Sequence, residues 1–276
     1  MLLKNLIKNV PKNIEKLNIK GLALNSKDVK KGFIFFALKG KKFDGENFIN
    51  HAIKNGAKLI ICSKNLKFQS SKVHLIKTKE VRSYLSEITS KFYKHKPKNI
   101  IAVTGTNGKT SVADFFYQIL KSNNIPVASI GTLGIKSKSQ TIRTNLTSLD
   151  IISLHKNLEK LKKDKIDNVI IEASSHGLEQ GRLDNINFRA GIFTNFSQDH
   201  LDYHKTMSNY LKAKLILFSK LLDKNSYIIA DKSIKEYSIL KRISNKRKLK
   251  FLEISKAFDN FHKISLPLIG SFQLKN

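Results

Sequence analysis

Ile100-Ile101-Ala102-Val103-Thr104-Gly105-Thr106-Asn107-Gly108-Lys109-Thr110 is the stretch that decides the fold of this chain. It is an apolar run that breaks into a turn with two glycines, ends in Lys-Thr and leads into a helical pattern. In such a turn backbone N–H groups face an anion, the helix N-terminus is positive, Lys109 supplies a point charge and the Thr110 hydroxyl can ligate Mg²⁺. We interpret the stretch as a strand, a phosphate-binding loop and a helix.

The spacing of this loop differs from the common one. A P-loop of the form G-x-x-x-x-G-K-[ST] would place glycine at 103, where this chain has Val103. The alternative is a tight turn before an ordinary helix. We favour phosphate binding, because Gly-Lys-Thr at a strand-to-helix junction combines features that serve phosphate together.

The charge of the chain is strongly positive but evenly spread. The net charge is +30, and 45 of the 51 basic residues are Lys. Proteins that read base edges rely on Arg, and those that bind single strands interleave aromatic residues with the charges. Neither pattern occurs, so we expect a lysine-coated globular protein without a nucleic-acid partner.

Cysteine content and the N-terminal sequence indicate a cytoplasmic protein. A single cysteine, Cys62, excludes an internal disulfide framework and a Cys-based zinc site, and its apolar neighbours predict that it lies in the core. Lys4 and Lys8 interrupt the first apolar residues too soon for a signal peptide. No apolar run approaches the length of a membrane span, so we expect no membrane insertion.

The chain divides into two predicted domains, 1–96 and 97–276, joined near a polar segment that contains Pro97. The first reads as a small mixed α/β domain. Its predicted strands lie at 32–38, 59–61 and 73–76, and its predicted helices at 46–55 and 80–93.

Strand and helix patterns alternate regularly in the second domain. We predict strands near 100–104, 127–130, 168–173, 190–194 and 227–230, and helices near 110–122, 149–163, 206–222 and 232–240. This alternation predicts a P-loop-type, doubly wound and mostly parallel sheet, with ligand sites at the carboxyl ends of its strands. The phosphate loop, Glu172 and Asn195 all fall at such ends.

Two segments after strands carry acids and imidazoles. Glu172 ends an apolar strand before a turn rich in Ser and His, where an acid commonly holds Mg²⁺; the alternative is a loop whose polar residues cap the next helix. The second segment contains Asp199, His200 and His204. These side chains could ligate metal, act as acid or base, or cap a helix, and zinc lacks support because no H-E-x-x-H arrangement accompanies them.

Lys214 interrupts an apolar stripe. The stripe has helical spacing and consists of Met207, Tyr210, Leu211, Leu215, Phe218, Leu221 and Leu222. Lys214 therefore points inward. A buried ammonium is costly, so it must snorkel, pair with an acid or be chemically altered, and a carbamate formed with CO₂ would suit Mg²⁺.

These segments together resemble the Mur ligases, the ATP-dependent enzymes that add amino acids to the peptide of the bacterial cell-wall precursor. Thr104 to Thr110 is similar to their short ATP loop. Glu172-Ala173-Ser174-Ser175-His176-Gly177-Leu178 and the segment from Asp199 to His204 resemble specifically the MurE members, which add the third residue. Leu24 to Lys27 and Gly32 to Gly45 resemble the UDP-binding domain of the family.

The resemblance implies a role for each matching residue. The implied uridine-diphosphate site consists of Leu24, Ser26, Lys41, Lys42 and Phe43. The implied ATP site consists of Gly105, Thr106, Asn107, Gly108, Lys109, Thr110 and, near the adenine, Asn276. The implied muramoyl-dipeptide site consists of Thr147, Ser148, Ser174, Gln180 and Arg182. Lys109, Glu172, His200 and Lys214 would be catalytic, and Thr110, Glu172, His200 and Lys214 (as a carbamate) would ligate Mg²⁺.

The implied reaction joins meso-diaminopimelate or L-lysine to UDP-MurNAc-L-Ala-D-Glu through an acyl phosphate, in a monomeric enzyme. The family carries a third domain, which selects the amino acid, after the segment that matches residue 276, so we expect this chain to be inactive alone. Two alternatives stay open: a nucleotide-binding fragment without turnover, and a MurF-like or folylpolyglutamate-type ligase.

Overall fold

The computed structural model describes residues 1–40, 44–138, 141–142 and 147–254. These residues form two compact units. The first comprises Met1–Lys94 and Ile151–Lys156, and the second comprises His95–Asp150 and the described residues from Asn157 onward. Within the described ranges, no helix combines the length and the apolar character needed to cross a membrane.

The first unit is built on a parallel sheet. In the described part of this unit the strands lie side by side in chain order: β1 (Gly21–Ala23), β2 (Phe33–Phe36), β3 (Ala57–Ser63) and β4 (His74–Thr78). The helices are α1 (Ile49–Lys54) and α2 (Val81–Phe92).

Both faces of this sheet are buried, because successive side chains of a strand point to opposite faces. Ile34 and Phe36 of β2 lie in one apolar cluster, whereas Phe35 lies in another. Cys62 belongs to the second cluster and is buried, as predicted. The predicted strands and helices of this unit are confirmed, except that the helix predicted at 46–55 begins as a 3₁₀ turn, Gly45–Phe48, before α1.

The second unit contains a larger, mostly parallel sheet. Its strands are β5 (Asn99–Thr104), β6 (Val127–Gly131), β7 (Gly134–Ser137), β8 (Thr141–Ile142), β9 (Asn168–Glu172), β10 (Phe188–Phe193), β11 (Leu222–Ala230) and β12 (Lys250–Glu253). Its helices are α3 (Lys109–Ser122), α5 (Ser175–Glu179), α6 (Leu201–His204), α7 (Met207–Ile216) and α8 (Tyr237–Arg247), together with α4 (Ile151–Lys163) from Asn157 onward. For the described residues the strand order is β12-β11-β10-β5-β9-β6-β7-β8, and only β6–β7 and β7–β8 pair antiparallel.

Strand β5 lies in the interior of this sheet, between β10 and β9. Thr104 pairs with Phe193, and Val103 pairs with Glu172, so the three strands end at the same edge. The predicted mostly parallel α/β fold is thereby confirmed, and the segments that follow β5, β9 and β10 are brought together.

Two helix predictions need correction. The helix predicted at 232–240 begins only at Tyr237, because the Asp231 side chain accepts a hydrogen bond from the Ser233 N–H at 2.7 Å and holds the chain in a turn. The helix predicted at 206–222 is α-helical to Ile216, continues as a π-helical turn over Leu217–Leu221, and gives way to β11 at Leu222. Strand β11 is therefore longer than the 227–230 predicted.

Candidate functional site

The loop between β5 and α3 has backbone geometry that only glycine adopts readily. Gly105 has φ +151° and Gly108 has φ +82°. A Cβ at Gly105 would overlap the Thr194 hydroxyl. Gly108 is the N-cap of α3 and supplies no side-chain cap, so the first N–H groups of the helix are left for another acceptor, which is the arrangement that binds anions.

The segment after β10 holds this loop by reciprocal hydrogen bonds. The Asn107 N–H donates to Asn195 Oδ1 at 2.9 Å, and Asn195 Nδ2 donates to the Asn107 carbonyl at 3.1 Å. The Thr194 hydroxyl donates to the same carbonyl at 2.6 Å. The loop is therefore positioned by a neighbouring strand end as well as by its own sequence.

The Thr106 side chain connects the loop to α7. Its Oγ1 accepts from the Ser197 N–H at 3.0 Å and lies 3.3 Å from the Tyr210 hydroxyl. Tyr210 is almost fully buried. Its ring contacts the rings of His200 and His204, with centroid separations of 5.9 and 5.1 Å. Tyr210 thus links the loop, the histidine segment and the helix that carries Lys214.

Two lysines lie against the loop backbone. Lys109 Nζ donates to the carbonyls of Gly105 and Thr106 at 2.9 and 2.7 Å. Lys214 is 1% exposed, as its place in the apolar stripe predicts. Its Nζ donates to the Gly105 carbonyl at 2.6 Å and lies 4.2 Å from the centroid of the Tyr210 ring.

Burial changes the protonation of both lysines. Desolvation lowers the pKa of Lys109, and the nearby charges of Glu172 and Asp199 partly oppose this. Desolvation, followed by the charge of Lys109, lowers the pKa of Lys214 from 10.5 to about 7. A substantial fraction of Lys214 is therefore a neutral amine near neutral pH.

The Glu172 carboxylate lies beside the start of α3. It is 2% exposed and is held by Thr110 Oγ1 at 2.9 Å on Oε2, by the Thr132 N–H at 2.8 Å on Oε1 and by Thr132 Oγ1 at 3.1 Å on Oε2. An ionised carboxylate only accepts hydrogen bonds, so the Thr110 hydroxyl donates and its lone pairs stay available. A carboxylate and a hydroxyl are hard oxygen donors, and this pair fits Mg²⁺.

In the described part of the chain, His200 forms no hydrogen bond to Thr110 or Glu172. Its backbone is left-handed, with φ +51°, and its Nε2 is 3.4 Å from Asp199 Oδ2. Its ring packs against the rings of Tyr210 and His176. Across the described residues, no group of three or more His, Cys, Asp and Glu side chains is arranged to hold a metal ion.

The structure thus brings Thr110 to Glu172 and Lys109 to Lys214, while His200 joins them through Tyr210. The three strand ends place all five side chains in the neighbourhood of one loop.

His204 forms a buried contact that sequence reasoning missed. Its Nε2 is 2.9 Å from the Ser175 hydroxyl and its Nδ1 is 3.1 Å from Glu179 Oε2. These contacts fasten α6 to α5. The four-residue spacing of His200 and His204 therefore does not create a shared metal site, since His204 is engaged with Ser175 and Glu179.

Four of the five residues implied for the muramoyl-dipeptide, Ser148, Ser174, Gln180 and Arg182, form one hydrogen-bonded group. The hydroxyls of Ser148 and Ser174 are 2.9 Å apart, and Arg182 Nη1 donates to the Ser148 carbonyl at 2.7 Å. Arg182 Nε and Nη2 donate to Gln180 Oε1 at 3.0 and 2.7 Å. Thr147 Oγ1 lies 3.3 Å from Thr132 Oγ1.

The first unit holds the residues implied for uridine diphosphate. Ser26 is buried, and its hydroxyl is 2.9 Å from His51 Nδ1, while Leu24 packs against the apolar core. Lys41, Lys42, Phe43 and Asn276 lie outside the described residues. At the carboxyl ends of β2, β3 and β4 there is a cavity of about 420 Å³, and its lining includes Lys39, Glu46, Ser63, Lys79 and Arg82.

Thr132, Thr194 and Tyr210 were not among the predicted site residues. Thr132 follows the predicted strand 127–130 and Thr194 ends the predicted strand 190–194, so the rule that ligands bind at carboxyl ends of parallel strands could have selected them. No sequence pattern marked Tyr210 as a site residue, because an aromatic residue in an apolar helical stripe is usually part of the core.

Two family descriptions match the chain. Residues 103–276 match the Mur ligase middle domain, and residues 18–93 match the Mur ligase family catalytic domain. The chain belongs to the Mur ligase family. Its resemblance at the loop, at Glu172 and at the histidine segment is therefore matched by a similarity that spans both units.

Relatives and solved structures agree with this family membership. The chain is 39% identical to the UDP-N-acetylmuramoyl-L-alanyl-D-glutamate–2,6-diaminopimelate ligase of Rickettsia conorii, over 97% of the chain and 61% of that protein. It is 36% identical to the ligase of the same name from Brucella melitensis, over 96% of the chain and 59% of the relative. This Mur ligase chain thus spans about 60% of the length of these relatives.

A solved structure of a 2,6-diaminopimelate ligase of that name matches with a TM-score of 0.78 and 27% identity, over 92% of the chain and 52% of that structure. MurF from Acinetobacter baumannii matches with a TM-score of 0.59 and 17% identity, over 85% of the chain and 48% of MurF, and this likeness shows the fold alone.

Proposed function

We propose that this chain is the substrate-binding and ATP-binding part of a ligase that adds 2,6-diaminopimelate to UDP-MurNAc-L-Ala-D-Glu. The names of the relatives support diaminopimelate over lysine as the added amino acid. The reaction transfers the γ-phosphoryl group of ATP to the free carboxylate of the D-glutamate unit. The amine of the diamino acid then attacks the acyl phosphate and displaces phosphate.

The observation that carries the proposal is the hydrogen bond of 2.9 Å between Thr110 and Glu172. It joins Thr110, in the first turn of α3, to a buried acid from the next strand of the sheet. Phosphoryl transfer depends on positioning and on electrostatic stabilisation, so a protein of this class needs a cation site directly beside its phosphate site.

Magnesium fits this place, and Thr110 and Glu172 would hold it. When bound, the ion neutralises charge on the phosphate oxygens during transfer. The uncapped start of α3 would receive phosphate oxygens on its N–H groups. We expect Lys109 to exchange its contacts with the carbonyls of Gly105 and Thr106 for the phosphates of ATP.

In this proposal Lys214, converted to a carbamate, is a further ligand of the cation. Its amine is neutral in substantial part near pH 7, which makes it a nucleophile for CO₂. The nitrogen bonds to the carbon of CO₂ and loses a proton, giving an anionic carbamate. This change puts an anionic oxygen donor of the kind that Mg²⁺ prefers in place of the buried amine, and His200 would complete the set.

The substrate sites follow from the same assignment. We assign the dipeptide to Thr147, Ser148, Ser174, Gln180 and Arg182. The last four are linked by hydrogen bonds, Ser148 Oγ donates to the Glu172 carbonyl at 3.2 Å, and Thr147 contacts Thr132. We assign the uridine diphosphate to the first unit, through Leu24, Ser26 and the residues 41–43. The cavity beside Lys39 gives that unit a concave, partly cationic surface at its strand ends.

The test is ADP release that depends on the UDP-dipeptide, measured in a full-length version with diaminopimelate present. Lys109→Ala and Glu172→Ala should abolish it. Lys121→Ala, an exposed lysine on the same helix, is the matched control and should keep normal turnover. Normal turnover in either of the first two variants would overturn the proposal.

Two further outcomes separate the alternatives. Binding of ATP and of UDP-dipeptide by the full-length protein without any turnover would make it a binding module instead of an enzyme.

For Lys214, a Lys214→Ala variant should lose turnover and recover it with added formate or acetate. An unimpaired variant would remove Lys214 from the cation site.

A further inference from the structure

Thr132 lies in the turn at which the second sheet changes direction. Strand β6 runs parallel to β9, whereas β7 is antiparallel to β6, and Gly131 pairs with Gly134 across the turn. Gly134 has φ +89°, a conformation that favours glycine. The tight turn keeps Thr132 at the carboxyl end of β6, beside the end of β9, where Glu172 is the last residue.

Thr132 holds both oxygens of the Glu172 carboxylate. Its N–H donates to Oε1 at 2.8 Å, and its hydroxyl donates to Oε2 at 3.1 Å. The neighbouring Gly131 has no Cβ, and a Cβ built there would overlap the carboxylate. The carboxylate therefore lies directly against the backbone of the turn, and rotation of its side chain would break contacts on two sides.

The groups that hold Glu172 are neutral. Among the described residues, no Lys or Arg forms an ion pair with this carboxylate, and the donors that reach it belong to Thr110 and Thr132. Neutral donors fix the orientation of this acid without an ion pair, although the Lys109 ammonium lies close enough to interact with its charge. Hydrogen bonds from surrounding groups orient metal-binding side chains in the same way, so this buried acid is positioned to bind a cation.

Thr147 adds a third residue to the contact between Thr132 and Glu172. Because the carboxylate only accepts, the single Thr132 hydroxyl proton is committed to Glu172. Thr132 Oγ1 also lies 3.3 Å from the Thr147 hydroxyl. A polar chain runs from Thr147 through Thr132 to Glu172, and it connects the segment assigned to the dipeptide with the acid assigned to the cation.

We propose that Thr132 is a positioning residue, which fixes the Glu172 carboxylate in the orientation that binds a divalent cation. The inference rests on the proposed function, since it requires that Glu172 bind the cation of a nucleotide. It also explains why the parallel sheet continues into an antiparallel hairpin at β6. The hairpin turn delivers an N–H and an O–H to one carboxylate, whereas a crossover helix after β6 would carry the chain away from it.

Three substitutions test this role. Thr132→Val keeps the shape and the N–H but removes the hydroxyl, Thr132→Ser restores a hydroxyl, and Leu133→Ala changes an exposed neighbour in the same turn. The readout is Mn²⁺ affinity, from electron paramagnetic resonance of free Mn²⁺ at saturating ADP. ADP affinity in EDTA and the melting temperature are measured for each variant.

We expect Thr132→Val to weaken Mn²⁺ binding about 10- to 100-fold, with ADP affinity in EDTA unchanged. Thr132→Ser and Leu133→Ala should bind Mn²⁺ like the wild type. Wild-type Mn²⁺ affinity in a folded Thr132→Val would overturn the inference. If Thr132→Val does not fold, Thr132→Ala replaces it, and equal Mn²⁺ affinity of Thr132→Ala and Thr132→Ser would overturn it. A wild type that binds no ADP would instead overturn the proposed function.

Discussion

The ammonium groups of Lys109 and Lys214 donate to one carbonyl oxygen, that of Gly105, at 2.9 and 2.6 Å. Two cations around one neutral acceptor, Lys214 buried and Lys109 half-buried, repel each other, and each loses hydration. The arrangement is tolerable because Lys214 loses its proton easily and because its head group lies 4.2 Å from the Tyr210 ring centroid, where cation–π attraction operates. The loop between β5 and α3 thus has two lysine head groups at the place that we assign to an anionic ligand.

The titration of Lys214 is the first consequence. Its pKa of about 7 predicts that acylation of its amine by a small reagent reaches half of its maximal rate near pH 7. Rates come from mass spectrometry of modified peptides, in denaturant-quenched samples taken over a range of pH. Exposed Lys212 on the same helix reports how the reagent itself depends on pH. A half-maximal acylation rate of Lys214 above pH 9 would contradict the burial of this amine beside the Lys109 ammonium.

Stability should depend on pH through the same residue. The unfolded chain holds a proton on Lys214 up to about 10.5, and the folded chain holds it only up to about 7. Between these values the unfolded state binds more protons, so stability rises with pH, by at most about 1.4 kcal/mol per pH unit from this group. Below pH 7 both states are protonated and the contribution is flat.

Lys214→Met removes this titrating amine, and we expect the variant to be more stable than the wild type at pH 7. Its advantage should shrink as the pH rises toward 10. Urea unfolding at several pH values measures the difference. A difference that does not change between pH 7 and pH 10 would contradict the assigned titration.

Tyr210 allows its hydroxyl and its ring to be tested separately. Tyr210→Phe loses the contact of 3.3 Å with Thr106 and keeps the ring, so we expect a loss of about 1 kcal/mol in unfolding free energy and an unchanged Lys214 titration. Tyr210→Leu also removes the ring face that stabilises the ammonium. It should lower the Lys214 pKa further, by about 1. Equal Lys214 midpoints in the two variants would show that the ring has no electrostatic effect.

Gly131→Ala should displace the Glu172 carboxylate, because the added Cβ overlaps it. We expect a loss of about 1–3 kcal/mol in stability together with loss of the Mg²⁺ dependence of ADP binding. Gly191→Ala is the matched control, since its Cβ would meet Phe218 in the core at 2.9 Å. It should lose stability and keep Mg²⁺-dependent binding. The same binding defect in both variants would mean that Gly131 has no specific relation to Glu172.

Local patterns predicted the parts of the site that depend on neighbouring residues. The glycines, lysine and threonine of the loop are adjacent in the sequence, and the inward direction of Lys214 follows from a helical period of 3.6 residues. The alternation of strands and helices placed Glu172 at the same edge as the loop. These predictions required no knowledge of which strands pair.

Other features depend on pairing between distant segments. The turn with Thr132 reaches Glu172 only because β6 lies next to β9 and then folds back into β7. The contact between His204 and Ser175 joins residues 29 positions apart. The π-helical turn Leu217–Leu221 has the same apolar composition as the α-helix before it, so composition alone placed the end of that helix too far along the chain.

The central claim is that the loop and Glu172 together bind a nucleotide with its cation. Calorimetric titration of ADP into the protein, with Mg²⁺ and with EDTA, tests this most directly when the wild type, Lys109→Ala and Glu172→Gln are compared. We expect the wild type to bind ADP more tightly with Mg²⁺, Lys109→Ala to bind weakly in both conditions, and Glu172→Gln to bind equally with Mg²⁺ and with EDTA. A Glu172→Gln variant that keeps the wild-type response to Mg²⁺ would contradict the claim.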